Sequence, residues 1–269
     1  LGDKYNYLSR PRRFGKSVLV DTLESYLEGR KDLFEGLKIM QLEKDWKQYP
    51  VIRLDMSLAG STAQAIQSYL SDAFSAYEAI YGITPLSTAT LTVRFKNIVT
   101  TAFKKTGNKV AVLIDEYDSP LQHSWMTAEH TDCTDVYRNV FAVLKACDQF
   151  EKFVFITGIT KFTQISLFSV LNNLSNISFM PEYAAICGIT EEEIGENFMP
   201  ELKQMSEANG WSVQETHDRL KAYYDGYHFS DDNMVDIYNP YSLVDALKQR
   251  KIKNYWASSA ATSLLPKFV

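Results

Sequence analysis

The chain has 269 residues, 45% of them hydrophobic and 23% charged, with a formal net charge of −5. That length carries one large domain or two modest ones around a sizeable core, and the negative balance excludes a surface that attracts nucleic acid or anionic membrane as a whole. Three cysteines (Cys133, Cys147, Cys187) make no CxxC pair and four histidines no ligand cluster, which excludes a disulfide framework or a His/Cys zinc site.

Cysteine usage suits a reducing compartment, so a cytoplasmic location is expected. No apolar run is long enough to cross a membrane and no signal peptide is visible. Leu1 stands where a Met would, just before a predicted strand, and the chain reads as a fragment whose N-terminus has been cut away.

A short hydrophobic run at 5–8 predicts a strand. Residues 17–27 carry Val18, Leu19, Leu23 and Leu27 on one helical stripe. Between them runs Ser9-Arg10-Pro11-Arg12-Arg13-Phe14-Gly15-Lys16-Ser17. Strand, tight loop ending in Gly-Lys-Ser, then helix is the context of a phosphate-binding P-loop. Free N–H groups and the helix dipole at the helix start favour an anion. Lys16 could reach β- and γ-phosphates, the Ser17 hydroxyl could ligate Mg²⁺, and Gly15 lets the backbone approach closely. The motif asks for Gly where Arg10 stands, and Pro11 has no N–H to offer. The competing reading of the Gly-Lys-Ser tripeptide is a surface turn capping an ordinary helix, and the strand–loop–helix context favours the phosphate site over it.

Residues 50–56 predict a strand, with Pro50 at its first position. Helical periods follow at 62–81 and 91–103, the first closed by Gly82 and Pro85, and their aromatics are core rather than cofactor contacts. Residues 109–116, Lys-Val-Ala-Val-Leu-Ile-Asp-Glu, predict a strand buried on both faces, as in a parallel sheet. Its end carries paired carboxylates. Asp115 there suits Mg²⁺ and Glu116 the attacking water, a pairing with the upstream Gly-Lys-Ser that solvated strand-end acids would not explain.

A helix is predicted over 135–150 and a second buried strand over 152–158. Thr157, Thr160 and Lys161 at that tip are the candidates to read a γ-phosphate, and the sequence does not choose among them. Residues 167–178 read as loop with a short helix, and 183–189 as the last strand of the sheet. Thr190-Glu191-Glu192-Glu193 and Ser212-Val213-Gln214-Glu215 are capping boxes that open helices. Two short strands at 226–229 and 235–238, and a helix begun by Pro240, complete the pattern. The change from alternating strand and helix to clustered helices predicts two domains, 1–189 and 190–269. The fold expected is α/β, a three-layer sandwich with a parallel sheet, plus a mostly helical C-terminal lid.

With these residues placed, the chain resembles the AAA-ATPase-like family, in which a degenerate P-loop ATPase precedes a PD-(D/E)XK nuclease-like domain. The likeness is carried by Tyr7-Leu8-Ser9-Arg10-Pro11-Arg12-Arg13-Phe14-Gly15-Lys16-Ser17, Leu113-Ile114-Asp115-Glu116-Tyr117-Asp118 and Thr157-Gly158-Ile159-Thr160-Lys161-Phe162. It continues in Tyr224-Asp225-Gly226-Tyr227-His228-Phe229 and Tyr238-Asn239-Pro240-Tyr241-Ser242-Leu243. In this family the Arg-Pro-Arg-Arg loop is the norm, so Arg10 ceases to argue against binding.

The resemblance implies ATP and Mg²⁺ as ligands, with Arg12, Arg13, Phe14, Gly15, Lys16, Ser17 and Thr157 around the nucleotide. Ser17 and Asp115 would hold the metal, and Lys16 and Glu116 would serve the chemistry. It implies a nuclease-like domain beyond Val269, nucleic acid only through that domain, no membrane partner, and room for an oligomer. Two functions remain open: an ATP hydrolase that gates or powers an attached effector, and a nucleotide-binding switch with little turnover. Retention of Glu116 favours the first and the altered loop the second.

Overall fold

The computed structural model describes residues 3–159, 174–232 and 234–255. Two compact units divide the chain: Leu1–Arg10 with Lys16–Ile177, and Pro11–Gly15 with Ser178–Val269.

In the first unit, β1 (Tyr5–Ser9) leads through the loop into α1 (Lys16–Leu27), and α2 (Ile39–Leu42) precedes β2 (Val51–Asp55). Then come α3 (Ala63–Tyr81), α4 (Leu91–Thr106), β3 (Val110–Asp115), α5 (Ser119–Ser124), α6 (His130–Ala146), β4 (Glu151–Gly158) and β5 (Ser175–Asn176). The five strands form one sheet in the order β2-β3-β4-β1-β5, with every pairing parallel. All carboxyl ends therefore lie at one edge.

Alternation sorts the side chains onto two faces. Tyr5, Tyr7, Ile52, Leu54, Val110, Val112, Ile114, Val154 and Ile156 join one core with Ile66, Leu70 and Phe74 of α3, Phe95 and Ile98 of α4, and Val140 and Phe141 of α6. The other face carries Leu8, Ala111, Leu113 and Phe155, all buried, and α1 packs against β3 and β2 there. Arg53 of β2 confirms that placement: its guanidinium pairs with Asp21 at 2.5 Å and Glu24 at 2.7 Å, both on α1. Helices on both faces of a parallel sheet are the expected three-layer α/β sandwich.

The helices begin and end where their caps dictate. Thr62 and Thr90 accept N–H bonds from Ala65 and Val93, satisfying donors that the first turn leaves open. Gly82 (φ +57°) closes α3 in the left-handed region, which costs a residue without Cβ least.

The second unit holds α7 (Glu191–Asn197), α8 (Met199–Asn209), α9 (Val213–Tyr224) and α10 (Pro240–Gln249) around Ile194, Leu202, Met205, Leu220, Tyr224, Leu243 and Leu247. Here β6 (Ile189–Thr190) pairs antiparallel with β7 (Ile237–Tyr238). The Thr190–Glu193 capping box forms in both directions. At Ser212 only half forms: Ser212 accepts from the Glu215 amide, while the Glu215 carboxylate turns to Arg219 instead.

Two expectations are corrected. The last strand of the main sheet is Ser175–Asn176, not 183–189, because Ile189 finds an antiparallel partner in Tyr238. The expected strand at 226–229 is reduced to one bridge, Tyr227 to Ile237. The loop and short helix expected at 167–178 lie mostly outside the described residues; from Ser175 the chain is strand and then a 3₁₀ turn at Ile177–Phe179.

Candidate functional site

Register brings the chemistry to one edge and one face. Asp115 follows Leu113 by two residues and Thr157 follows Phe155, so both carboxylate and hydroxyl emerge on the face covered by α1. Lys16 is the first residue of α1. Parallel pairing thus puts the helix N-terminus, the Asp115 carboxylate and Thr157 together in the first unit.

Asp115 is 1% exposed and Thr157 is fully buried. The Thr157 hydroxyl donates to Asp115 Oδ1 at 2.5 Å, and the Glu116 amide reaches both that oxygen (3.0 Å) and Thr157 Oγ1 (3.1 Å). A buried carboxylate needs such donors in place of the water it has lost, and they fix its orientation. No hydrogen bond among the described residues engages Oδ2 of Asp115, which leaves that hard oxygen for a cation or water.

The strand ends at Asp115 rather than continuing through Glu116. Glu116 adopts φ +46°, in the left-handed region that non-glycine residues seldom occupy. The cause lies on both sides of it. Its own amide is drawn to Asp115 and Thr157, and the next amide, Tyr117, donates to the Thr157 carbonyl at 2.9 Å. Tyr117 is then buried edge-on to Tyr137 and Phe141, with centroids at 5.0 and 5.4 Å. The chain folds over the tip of β4, and Glu116 is the hinge of that turn.

On the loop side, Lys16 is 4% exposed and its Nζ donates to the Arg10 carbonyl at 3.0 Å. Arg10, standing where a glycine was wanted, is itself fully buried; its amide donates to Gly158 O and its Nη1 to Ser9 O. Ser17 and Arg12 are exposed. Gly15 takes φ +82°, which explains the glycine, and a Cβ there would meet nothing within 4 Å.

The remaining loop residues belong with the second unit. Phe14 is buried edge-on to Tyr227 and Phe229, with centroids at 4.8 and 5.4 Å. Arg13, at φ +68°, stacks on Tyr241 with its guanidinium 4.0 Å from the ring centroid. These two side chains are committed to aromatic packing, while Asp115, Glu116, Thr157, Lys16 and Ser17 gather in the first unit. Thr160 and Lys161 lie outside the described residues.

Two residues given no role by the sequence stand out. Asp118 is fully buried, and its Oδ2 accepts from the Ile159 amide (2.9 Å) and Gln122 Nε2 (2.6 Å). Gly158 lets it approach: a Cβ there would fall 2.8 Å from the Tyr7 hydroxyl and 3.0 Å from Asp118 Oδ1. Asp118 pins the chain that leaves β4. Its signal was the third acid of Asp115-Glu116-Tyr117-Asp118, which reads as a solvated loop until the burial is known. Behind it, burial pushes the Tyr137 phenol well above its ordinary range, with Tyr117 and Asp118 adding to the effect.

A family model described as a "predicted AAA-ATPase" matches residues 2–168. The chain belongs to the AAA-ATPase-like family. It is also similar to the "uncharacterized protein in vnfD 5′ region" of Azotobacter chroococcum mcd 1, 33% identical over 264 residues, or 96% of this chain and 48% of the relative. The chain spans about half the length of that curated relative. Among solved structures, it is similar to the ORC2 protein of Aeropyrum pernix in its ADPNP–ADP complexes, at 13% identity and TM-score 0.44, over 98% of this chain and 66% of that one. The ORC1 protein of the same organism, in complex with DNA, gives 11% identity and TM-score 0.41 over 97% and 59%. Likenesses this slight bear on neither binding nor activity.

Among the described residues of this AAA-ATPase-like chain no helix is long and apolar enough to cross a membrane, and no three His, Cys, Asp or Glu residues cluster as a metal site. The residues at the sheet edge nevertheless fit a magnesium nucleotide by the chemistry of their donors. Such an ion takes one or two protein oxygens plus phosphates rather than a cage of carboxylates. The exposed Ser17 hydroxyl and Asp115 Oδ2 are hard oxygens of that kind.

Proposed function

We propose that this chain binds Mg²⁺-ATP at the carboxyl edge of its parallel sheet and hydrolyses it to gate or power an attached effector. One observation carries the reading: the Lys16 end of α1 and the buried Asp115 carboxylate share one face and one edge. The α1 N-terminus offers amides and positive dipole to phosphate, and the Lys16 ammonium moves from the Arg10 carbonyl to the β- and γ-oxygens. Ser17 and Asp115 would hold Mg²⁺, which when bound neutralises charge on those same oxygens.

Thr157 acts through Asp115: its hydroxyl proton is already given to that carboxylate, which it holds in place. Glu116, carried off the strand line by its left-handed backbone, orients the attacking water. Gly15 supplies close backbone, Arg12 a solvated positive charge beside the phosphates, and Arg13 and Phe14 fix the loop's shape through their aromatic partners. The remainder of the full-length protein would carry the effector, a nuclease-like domain by family resemblance.

A second reading has its own support. Arg10 fills the first glycine position with a buried side chain, and Pro11 lacks an N–H, so the loop presents fewer donors to a transition state. A nucleotide switch with little turnover fits that loop.

Calorimetry and steady-state phosphate release separate the readings. Lys16→Ala should weaken ATP binding roughly ten- to a hundredfold, the loss of about 1.5–3 kcal/mol of charge-assisted contact. Asp115→Asn should remove the Mg²⁺ dependence. Glu116→Gln should keep ATP affinity and lose turnover. Equal ATP affinity in wild type and Lys16→Ala sinks the nucleotide site. Lys16-dependent binding without wild-type turnover gives the switch.

A further inference from the structure

The second unit carries an open groove of about 590 Å³ lined by Asn209, Trp211, Arg219, Tyr223, Lys251 and Lys253. One wall is the end of α8, Trp211 just after it and the C-terminal half of α9; the other is the extended chain that leaves α10. That chain is fixed rather than loose: the Tyr224 hydroxyl donates to Lys253 O at 2.7 Å and accepts from the Lys253 amide at 3.0 Å.

Two features of the lining recur together in one class of site. The first is uncompensated positive charge. Arg219 is paired with Glu215 at 2.8 Å, but among the described residues Lys251 and Lys253 have no ion-pair partner. The second is a set of flat aromatic surfaces. Tyr223 is 52% exposed, and the Arg219 guanidinium lies 4.5 Å from the Trp211 ring centroid. Positive charge tracks a phosphodiester backbone while exposed rings receive bases of any sequence. An acidic polypeptide would use the lysines and leave the Tyr223 face idle.

We propose that this groove binds single-stranded nucleic acid, with Lys251 and Lys253 on phosphates and Tyr223 and the Arg219–Trp211 stack against bases. None of these residues is assigned to the nucleotide, and the proposal does not rest on that reading. It also runs against the chain's net charge of −5, which hides a local concentration of Lys248, Arg250, Lys251 and Lys253.

The test is fluorescence anisotropy of a short labelled oligothymidylate on the whole protein, over a series of salt concentrations. Lys251→Ala/Lys253→Ala should weaken binding at least tenfold and flatten the slope of log affinity against log salt by about 1.4, because two phosphates of a single strand keep their counterions. Tyr223→Ala should weaken binding about tenfold with the slope unchanged, since stacking releases no counterions. Lys251→Arg/Lys253→Arg should keep both affinity and slope, and Lys104→Ala/Lys105→Ala, on α4, should behave as wild type. Thermal melting of each variant separates loss of the site from loss of the fold.

No binding by the wild type, or binding indifferent to the groove lysines, overturns the proposal. Displacement of the oligonucleotide by polyglutamate of matched charge, with Tyr223→Ala indistinguishable from wild type, overturns it in favour of an acidic polypeptide.

Discussion

Glu116 and Glu151 are two carboxylates at opposite ends of the same sheet, and their surroundings give them opposite characters. Glu116 is held at φ +46° by the hydrogen bonds of its neighbours, a conformation costing about 1–3 kcal/mol that persists because Asp115, Thr157 and Tyr117 over-determine it. Glu151 begins β4 at the amino edge and is fully buried. Its Oε2 accepts from the Tyr5 hydroxyl at 2.6 Å, and that hydroxyl also reaches Asp148 Oδ1 at 2.9 Å. Burial pushes the Glu151 carboxyl up to about 7, against the Tyr5 bond and Lys4, which lower it, and with Asp148, which raises it further. The folded protein therefore keeps a proton that the unfolded chain loses above about 4.5, so stability falls as pH rises from there through about 7. Glu151→Gln should remove that fall and gain at most about 3 kcal/mol at pH 8 over wild type, with little difference at pH 4. Urea unfolding at the two pH values measures it, and equal differences at both would discard the account.

Among the elements, α3 and α4 show how a polar contact is built into a hydrophobic seam. Phe74 and Phe95 stack at 5.1 Å, and beside them Arg94 grips Glu78 through two parallel bonds, 2.8 and 2.7 Å, with further bonds to Ser71 and Ser75. Both side chains are largely withdrawn from water. Arg94→Ala leaves Glu78 buried without its partner and should cost about 3–5 kcal/mol, whereas Glu78→Leu/Arg94→Met should restore most of it. Equal losses in the single and double variants, measured by chemical denaturation, would show that the seam depends on the ion pair itself.

Much of this architecture was legible in the sequence because its long elements have strong periods. The unbroken apolar run at 110–114 has only one home, a strand covered on both faces. Two-residue strands have no period at all, so Ser175–Asn176 and Ile189–Thr190 could not be told apart as partners of the main sheet. The helix after the loop was recognised but its inner face was not. Val18 is 66% exposed and Val20 is buried, because the sheet, not the apolar count, decides which side turns inward. In the candidate site, Asp115 and Lys16 were singled out by residue type and order. The backbone turn at Glu116, the commitment of the Thr157 hydroxyl to Asp115 and the burial of Arg10 depend on neighbours from distant sequence, and no local pattern encodes them.

At the scale of the whole molecule, the loop that names the family does not group with the strand and helix it connects. Pro11–Gly15 belongs with Ser178–Val269, and Phe14 is one of three buried residues in a small cluster with Phe229 and Ile237. The loop's shape therefore depends on residues roughly 200 positions away. Phe229→Ala should weaken ATP binding severalfold by loosening Phe14, although Phe229 itself lies far along the chain from every residue assigned to the nucleotide. Unchanged affinity in calorimetry would show that the loop holds its form alone.

The same dependence has a consequence for the order of events during synthesis. A ribosome adding about 5–20 residues each second releases the sheet's strands well before it reaches Tyr227, Phe229 and Tyr241. For a delay on the order of ten seconds or more, the nascent chain owns Lys16, Ser17 and Asp115 but not the aromatic partners of Arg13 and Phe14. Phe14 lacks its aromatic partners through that interval, and the loop reaches its final form only once the second unit has been made. On the proposed reading, full affinity for ATP would come only with chains translated nearly to the end of the described residues.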